Sequence, residues 1–244
     1  MPPKDLINIG QVDDAPWETV GVDVPNTRNW RTAIVKISSH VNVEWFESKS
    51  IENANSGELG VSQLGTLSAA MVTPLKGYPI IIISVYGLWK RPHAITKSQW
   101  IMADASVHRL ISDISSFIGH QKKHKLIVSG DLNILKGYGE SGSKYWADRY
   151  QSVFTRMSAI GVPFVGPQAP EGGRQAAPWP KELPKESRNV PTFHTNQQSP
   201  ATATRQLDFV FASESIKDKV TVRARNHPNE WGPSDHCRIE IDVE

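Results

Sequence analysis

The sequence predicts a mixed α/β (α+β) fold in which layered sheets are covered by helices. Three observations carry that expectation: strand-like runs stand at both ends of the chain, two segments with helical spacing lie between them, and the longest apolar run is continuous rather than alternating. With 244 residues and 39% hydrophobic composition, the chain can bury a sizeable core in one large sandwich or barrel. It shows no internal repeat and no low-complexity tract long enough to mark a linker, so a single domain over 1–244 is the economical reading.

Strand signals come first. Residues 32–46 (TAIVKISSHVNVEWF) are rich in β-branched side chains and read as a pair of strands, and 78–86 (YPIIIISVY) reads as a strand buried on both faces, ending at Tyr86. Next, Val107, Leu110, Ile111, Ile114, Phe117 and Ile118 recur at helical spacing, with Gly119 as the C-terminal stop. The stretch HKLIVSGDLNIL gives a short strand at Leu126, Ile127 and Val128, which runs into Ser129-Gly130 and presents Asp131 and Asn133 just beyond. Trp146, Tyr150, Val153, Phe154, Met157 and Ile160 mark a second amphipathic helix closed by Gly161. From about 163 to 203 the chain is rich in Pro, Gly, Ser, Gln and Thr and lacks periodicity, which reads as a long surface excursion of the kind that carries function or disorder. Order returns in RQLDFVFAS, where Leu207, Phe209 and Phe211 alternate with Asp208 and Val210. In the last segment Cys237, Ile239, Ile241 and Val243 alternate with His236, Arg238, Glu240 and Asp242. Both read as late strands with one buried face.

Lys and Arg number 27 against 25 Asp and Glu, and a net charge of +2 sets up no field strong enough to gather nucleic acid or an anionic membrane. A polyanion is allowed as a partner without being indicated. The one cysteine, Cys237, excludes an intrachain disulfide and a cysteine-rich zinc knuckle and suits a reducing compartment, so the cytoplasm is the expected location. The opening MPPKDLINIGQVDDAPW has no apolar core of signal-peptide length, and no run approaches the roughly 18 apolar residues of a membrane span. Neither export signal nor membrane span is expected, and a monomer is the expected state.

Four segments each offer polar groups where a strand ends: Tyr86 in SVYG, Asp131 and Asn133 in SGDLN, Asp208 in RQLDFVFAS, and Ser234-Asp235-His236 in SDHCRIEI. Hydrolysis of a phosphate ester needs an activated water, donors aimed at the phosphoryl oxygens and a hard cation to neutralise developing charge, and these residue types supply those parts. Each has a plainer alternative. Asp131 in an SGD turn bonds its own backbone readily. Asp208 would face solvent on a half-exposed sheet. Tyr86 would be a packing aromatic with a satisfied hydroxyl. A Ser-His-Asp triad built from Ser234, Asp235 and His236 is excluded, because adjacent extended residues point to opposite faces and no G-x-S-x-G elbow is present. His120 and His124 fall beyond the helix stop and read as part of a solvated loop, while Cys237 reads as a small buried residue. Arg174, Lys181, Lys185 and Arg188 would grip a phosphate-rich substrate if the excursion folds toward the site, and Trp89, Trp179 and Trp231 would stack on a base or sugar. Solvation of the loop and packing beneath it are the plainer readings.

The same segments carry a resemblance. SGDLN is similar to the GD(F/L)N motif of the endonuclease/exonuclease/phosphatase superfamily, LDFVFAS to its (I/L)DY(I/V) strand and SDH to its terminal signature, in the same order along the chain from roughly Asn29 to the C-terminus. The resemblance implies a DNase I-like four-layer sandwich of two packed, mostly antiparallel sheets flanked by helices. It implies a Mg²⁺-dependent phosphoric ester hydrolase, Mn²⁺ being the alternative ion, that acts as a nuclease-like phosphodiesterase. Carried over residue by residue, Asp131 orients or deprotonates the attacking water, Asn133 helps to hold water or phosphate, and His236 donates to the scissile phosphate as an imidazolium. Asp208 orients His236 through its other ring nitrogen, Tyr86 steadies the phosphate, and Asp235 binds Mg²⁺. The superfamily's opening strand ending in Asn and its Gln-Glu strand have no counterpart here; Glu18 and Glu44 are not assigned as ligands. Because MPPKDL resembles the loop after that Gln-Glu, an N-terminally truncated chain is the expectation, with a catalytically impaired remnant or phosphate-binding module as the second reading.

Overall fold

The computed structural model describes residues 10–12, 32–37, 39–88, 100–119 and 123–244. Glu18, Trp89 and His120 lie outside these residues, as do the N-terminal segments on which the truncation reading turns.

Strands β1 (Gly10–Val12) and β2 (Ala33–Val35) pair antiparallel. They precede β3 (Val41–Phe46), β4 (Ser48–Ser50), β5 (Leu59–Val61), β6 (Leu67–Pro74) and β7 (Ile80–Tyr86). Helix α1 (Trp100–Ile114) leads to β8 (Leu126–Asp131), and α2 (Lys144–Ala159) to β9 (Phe164–Gly166) and β10 (Asp208–Ala212). A final pair, β11 (Val220–Ala224) and β12 (Ile239–Val243), closes the described chain. The main sheet has the order β3-β6-β7-β8-β10-β9, antiparallel throughout except for β7 beside β8. That parallel step needs a crossover, and α1 lies between its two strands in the sequence. The two strands expected within 32–46 do not pair with each other: β2 joins β1, and β3 joins β6.

Helices cover one face. Val107, Leu110, Ile111 and Ile114 of α1, with Tyr150, Val153, Phe154 and Met157 of α2, pack on Leu67, Ile83, Val85, Leu126, Val128, Phe209 and Phe211. Phe154 meets Phe209 edge-on at 5.2 Å between ring centroids, a geometry that adds about 0.5–1.5 kcal/mol to the area it buries. Helix α2 ends as its glycine foretells: Gly161 adopts φ +79°, its N–H bonds the carbonyl of Ser158, and Val162 N–H bonds that of Met157. This is the left-handed C-terminal cap in which glycine avoids a Cβ clash. Helix α1 tightens after Ile114 into a single 3₁₀ turn, Ser115–Phe117, before Gly119.

The β11–β12 ribbon covers the opposite face. Val220, Val222, Ile239 and Ile241 pack on Ile80, Ile127, Val210 and Ala212, so β10 is buried on both faces rather than on one. The expectation of a half-exposed β10 fails because the alternation of Leu207, Phe209 and Phe211 registers the helix side only, while Val210 and Ala212 meet a sheet that arrives later in the chain. Helices, six-stranded sheet and ribbon are three of the layers of the expected sandwich among the described residues.

The 163–203 stretch is likewise built in. It contributes β9 to the main sheet and buries Ala169, Leu183, Val190 and Thr192. Side chains replace the missing ladder: Asn226 Nδ2 donates to the carbonyls of Arg174 and Pro191, its Oδ1 accepts from Arg174 N–H, and Gln206 Oε1 accepts from Val190 N–H. Such bonds leave no period for a sequence pattern to detect.

Candidate active site

Three candidate residues stand in one row across the main sheet. Tyr86, last in β7, is the register partner of Asp131, last in β8, and Asp131 is opposite Asp208, first in β10. Register partners share a face, and this one is the ribbon face, where Ile82, Ile127 and Val210 pack further along the same strands. His236 reaches the row from the segment that leads into β12. Its Nδ1–H donates to Asp208 Oδ2 at 2.8 Å, and its Nε2 faces Asp131 Oδ2 at 3.8 Å.

The loop that follows β8 aims the carboxylate. Asn133 N–H donates to Asp131 Oδ1 at 2.8 Å, and Asn133 Nδ2 donates to Asp131 Oδ2 at 3.1 Å and to the Gly87 carbonyl at 2.9 Å. The plainer reading of Asp131 as a turn former is therefore part of the geometry, since the turn is what orients the side chain. Both amide hydrogens of Asn133 are thereby committed. Asn133 holds φ +52°, a left-handed conformation that Asn tolerates better than most residues. Glycine at 130 is required by close approach: a Cβ there would lie 1.8 Å from the Val85 carbonyl oxygen.

Electrostatics split the two facing groups. Burial, reinforced by Asp208, raises the Asp131 pKa to about 7 against the pull of His236. Burial alone would depress the His236 pKa, but the hydrogen bond to Asp208 and the charges of Asp208, Asp131 and Asp235 outweigh it and carry the imidazolium to about 9. Asp235 thus lies near enough to influence both groups, and its main-chain carbonyl accepts from His194 N–H at 3.0 Å.

Among the described residues no group of three or more His, Cys, Asp or Glu side chains is arranged to hold a metal ion. Asp131 and Asp208 are engaged by Asn133 and by the His236 ring, so a cation there would compete with the imidazolium for the same carboxylates. These residues do not by themselves form a Mg²⁺ shell. The assignment of Asp235 as a ligand rests on sequence resemblance.

Other sequence candidates go elsewhere. Arg188 Nε donates to the Ala169 carbonyl and its Nη2 pairs with Glu171, while Arg174 donates to the carbonyls of Gln175 and Pro200. These arginines hold the excursion together. Trp179 donates to the Leu183 carbonyl and Trp231 is fully buried, so both pack beneath loops. Burial pushes the Cys237 thiol up to about 12, too high for a nucleophile near neutral pH. Glu44 points to solvent from β3, at the sheet edge opposite β9 and β10.

No sequence-family model and no curated protein sequence matches the chain. Among solved structures it is similar to the AP endonuclease LMAP from Leishmania major, with 14% identity and a TM-score of 0.51 over 84% of this chain and 61% of that one. The fold is DNase I-like. The 3′ phosphatase NExo from Neisseria bound to a product DNA hairpin aligns at 13% identity, and the 3′–5′ exonuclease NExo from Neisseria meningitidis at 14%. Both cover 84% of this chain and 80% of theirs with a TM-score of 0.50. At such identities the likeness establishes the DNase I-like architecture and nothing finer.

Within that DNase I-like frame, Thr192 is the residue that sequence reading missed. Fully buried, its hydroxyl accepts from Leu207 N–H at 3.0 Å and from Asp208 N–H at 3.1 Å, and its carbonyl accepts from Cys237 N–H at 2.9 Å. One threonine thus fixes the strands bearing Asp208 and His236 against each other. Nothing in VPTFHT distinguishes it from a loop threonine. Thr192→Val keeps the shape and leaves two buried donors without acceptors, which is expected to cost roughly 1–3 kcal/mol for each. Urea denaturation measures the loss, and an unchanged midpoint would mean that the hydroxyl does not hold the strands.

Proposed function

We propose that this chain hydrolyses phosphate esters, with nucleic-acid phosphodiesters as the first substrates to test. The observation that supports the reading best is the Asp131–His236 pair, 3.8 Å apart, whose pKa values are pushed to about 7 and about 9. Between those values Asp131 is ionised while His236 keeps its proton, so base and acid coexist in their working forms. The separation is too long for a hydrogen bond. In this mechanism Asp131 Oδ2 takes the proton of the water whose oxygen bonds to phosphorus, the ester P–O bond opposite it breaks, and the leaving oxygen takes a proton from solvent, while a non-bridging phosphoryl oxygen beside Nε2 receives the imidazolium's hydrogen bond as charge develops. Asp208 holds the ring in orientation, Asn133 holds Asp131, and Tyr86 stands at the end of the same row to steady the phosphate. Mg²⁺ or Mn²⁺, which the sequence resemblance implies, would supply further neutralisation of phosphoryl charge.

The DNA hairpin held by NExo favours a nucleic-acid substrate over lipid or inositol phosphate as the place to start. The test incubates the chain with bis(p-nitrophenyl) phosphate, a single-stranded oligonucleotide, a 3′-phosphorylated oligonucleotide, an inositol phosphate and a phospholipid, each with Mg²⁺, Mn²⁺ or EDTA. Turnover of at least one of them, lost in Asp131→Asn, is the expected result. Saturable binding of a phosphate ligand with no turnover under any condition would overturn the enzyme reading and favour the non-catalytic binding module.

A further inference from the structure

We infer that Arg205 binds a second phosphate of the substrate, next to the one that meets His236, and that Glu140 is the positioning residue that holds Arg205 there. The inference deepens the hydrolase reading and rests on it. Phe193 is bridged on one side to Arg205 and on the other to His236, so these three residues lie side by side across adjacent extended segments. Bridge partners share a face, and the Phe193 and His236 rings meet at a tilt of 55° with 5.0 Å between centroids. Two such steps place the Cα atoms of Arg205 and His236 roughly 10 Å apart, a gap that a long guanidinium side chain and a neighbouring phosphate can close.

The ion pair has a front and a back. Glu140 is only 9% exposed and sits behind, whereas the Arg205 side chain is 40% exposed in front. Among the described residues Arg205 uses one of its five N–H donors, Nη2, to bond Glu140 Oε2 at 3.0 Å. The remaining donors form the planar fork that suits a phosphate. Arg174 and Arg188 differ, because their guanidinium groups bind main-chain carbonyls within the excursion. Burial raises the Glu140 pKa against the pull of Arg205, which shows that this carboxylate is kept at a desolvation cost. Glu140 also follows the Asp131–Asn133 turn on the same exit from β8, so one loop carries both the proposed base and the anchor of the proposed phosphate grip.

A substrate with at least two phosphates is thereby favoured over a simple monoester or diester. A nucleic-acid strand and a polyphosphorylated inositol share that chemistry. The experiment compares wild type, Arg205→Ala, and Arg205→Ala combined with Glu140→Gln, the last removing the lone buried carboxylate in case the single variant does not fold. For each, kcat/KM is measured on bis(p-nitrophenyl) phosphate, a single-stranded oligonucleotide and an inositol bisphosphate. The ratio of multi-phosphate to single-phosphate kcat/KM is expected to fall about 10- to 100-fold, mainly through KM. The arm in which it falls identifies the source of the second phosphate. An unchanged ratio in both arms overturns the inference while leaving the hydrolase reading in place. Should wild type hydrolyse nothing, oligonucleotide binding by fluorescence anisotropy decides alone. A salt dependence shallower by roughly one charge in the Arg205 variants supports the grip, and superimposable isotherms overturn it.

Discussion

Replacing Asp131 with Asn is expected to lower turnover by about 10²–10⁴-fold, the usual contribution of a positioned general base, while the melting temperature at pH 8 holds or rises. The amide keeps the size of the carboxylate and can still accept from Asn133 N–H, but it cannot take a proton from water. The stability expectation follows from the direction of the shift. A carboxyl whose folded pKa is raised from 3.8 to about 7 binds its proton more tightly when folded. Its contribution to stability is complete below the ordinary value and is lost as pH rises through about 7. At pH 8 the ionised side chain weighs against folding, and the neutral amide removes that burden at the loss of one bond from the Asn133 amide. His236→Ala should lose turnover to a similar degree yet also lose stability, since it leaves Asp131 and Asp208 facing each other without the imidazolium between them. Single-turnover rates and calorimetric melting on the same preparations check both. Wholesale unfolding of Asp131→Asn would make this carboxylate structural.

The wild-type kcat/KM is expected to rise with pH through about 7 and fall through about 9, the two limbs belonging to the coupled Asp131–His236 pair. Asp208→Asn should displace both limbs toward lower pH and cut the rate on the order of 10²-fold or more by loosening the ring's orientation. Without the Asp208 charge, burial depresses the His236 pKa with less opposition, and Asp131 loses the repulsion that helps to raise it. Stability changes in a defined window. Because the folded His236 pKa lies above the ordinary 6.5, the pair's stabilisation is fully present below 6.5 and is lost as pH rises through about 9. Melting curves of wild type and Asp208→Asn should therefore differ most just below pH 6.5, where the imidazolium faces an ionised Asp208, and converge above 9. A pH profile indifferent to Asp208→Asn would rule out the pairing.

What the sequence determined by itself is what depends on neighbours in the chain. The 3.6-residue period and the terminal Gly161 specify α2 to its last turn, the run of isoleucines specifies β7, and SGDLN specifies a turn in which Asp131 bonds Asn133 N–H. The short motifs also singled out Asp208 and His236, although no local rule says that they touch. Tertiary structure decided that. β6 and β11 passed unnoticed because a strand's partners, rather than its own few residues, make it a strand. The two-sided burial of β10 required the ribbon, and the ordering of residues 163–203 required side-chain amides from Asn226 and Gln206 in place of a ladder. Thr192, Arg205 and Glu140 have no signature at all, for their roles are set by contacts with |i−j| of 16 and 65 residues. The separation of 28 positions between Asp208 and His236 is closed by packing the ribbon on the sheet, and burial together with the facing charges in that same contact is what moves the pKa values of Asp131 and His236. Residue identity chose the chemical groups, and desolvation together with register, which exist only in the folded chain, set their charge and distance.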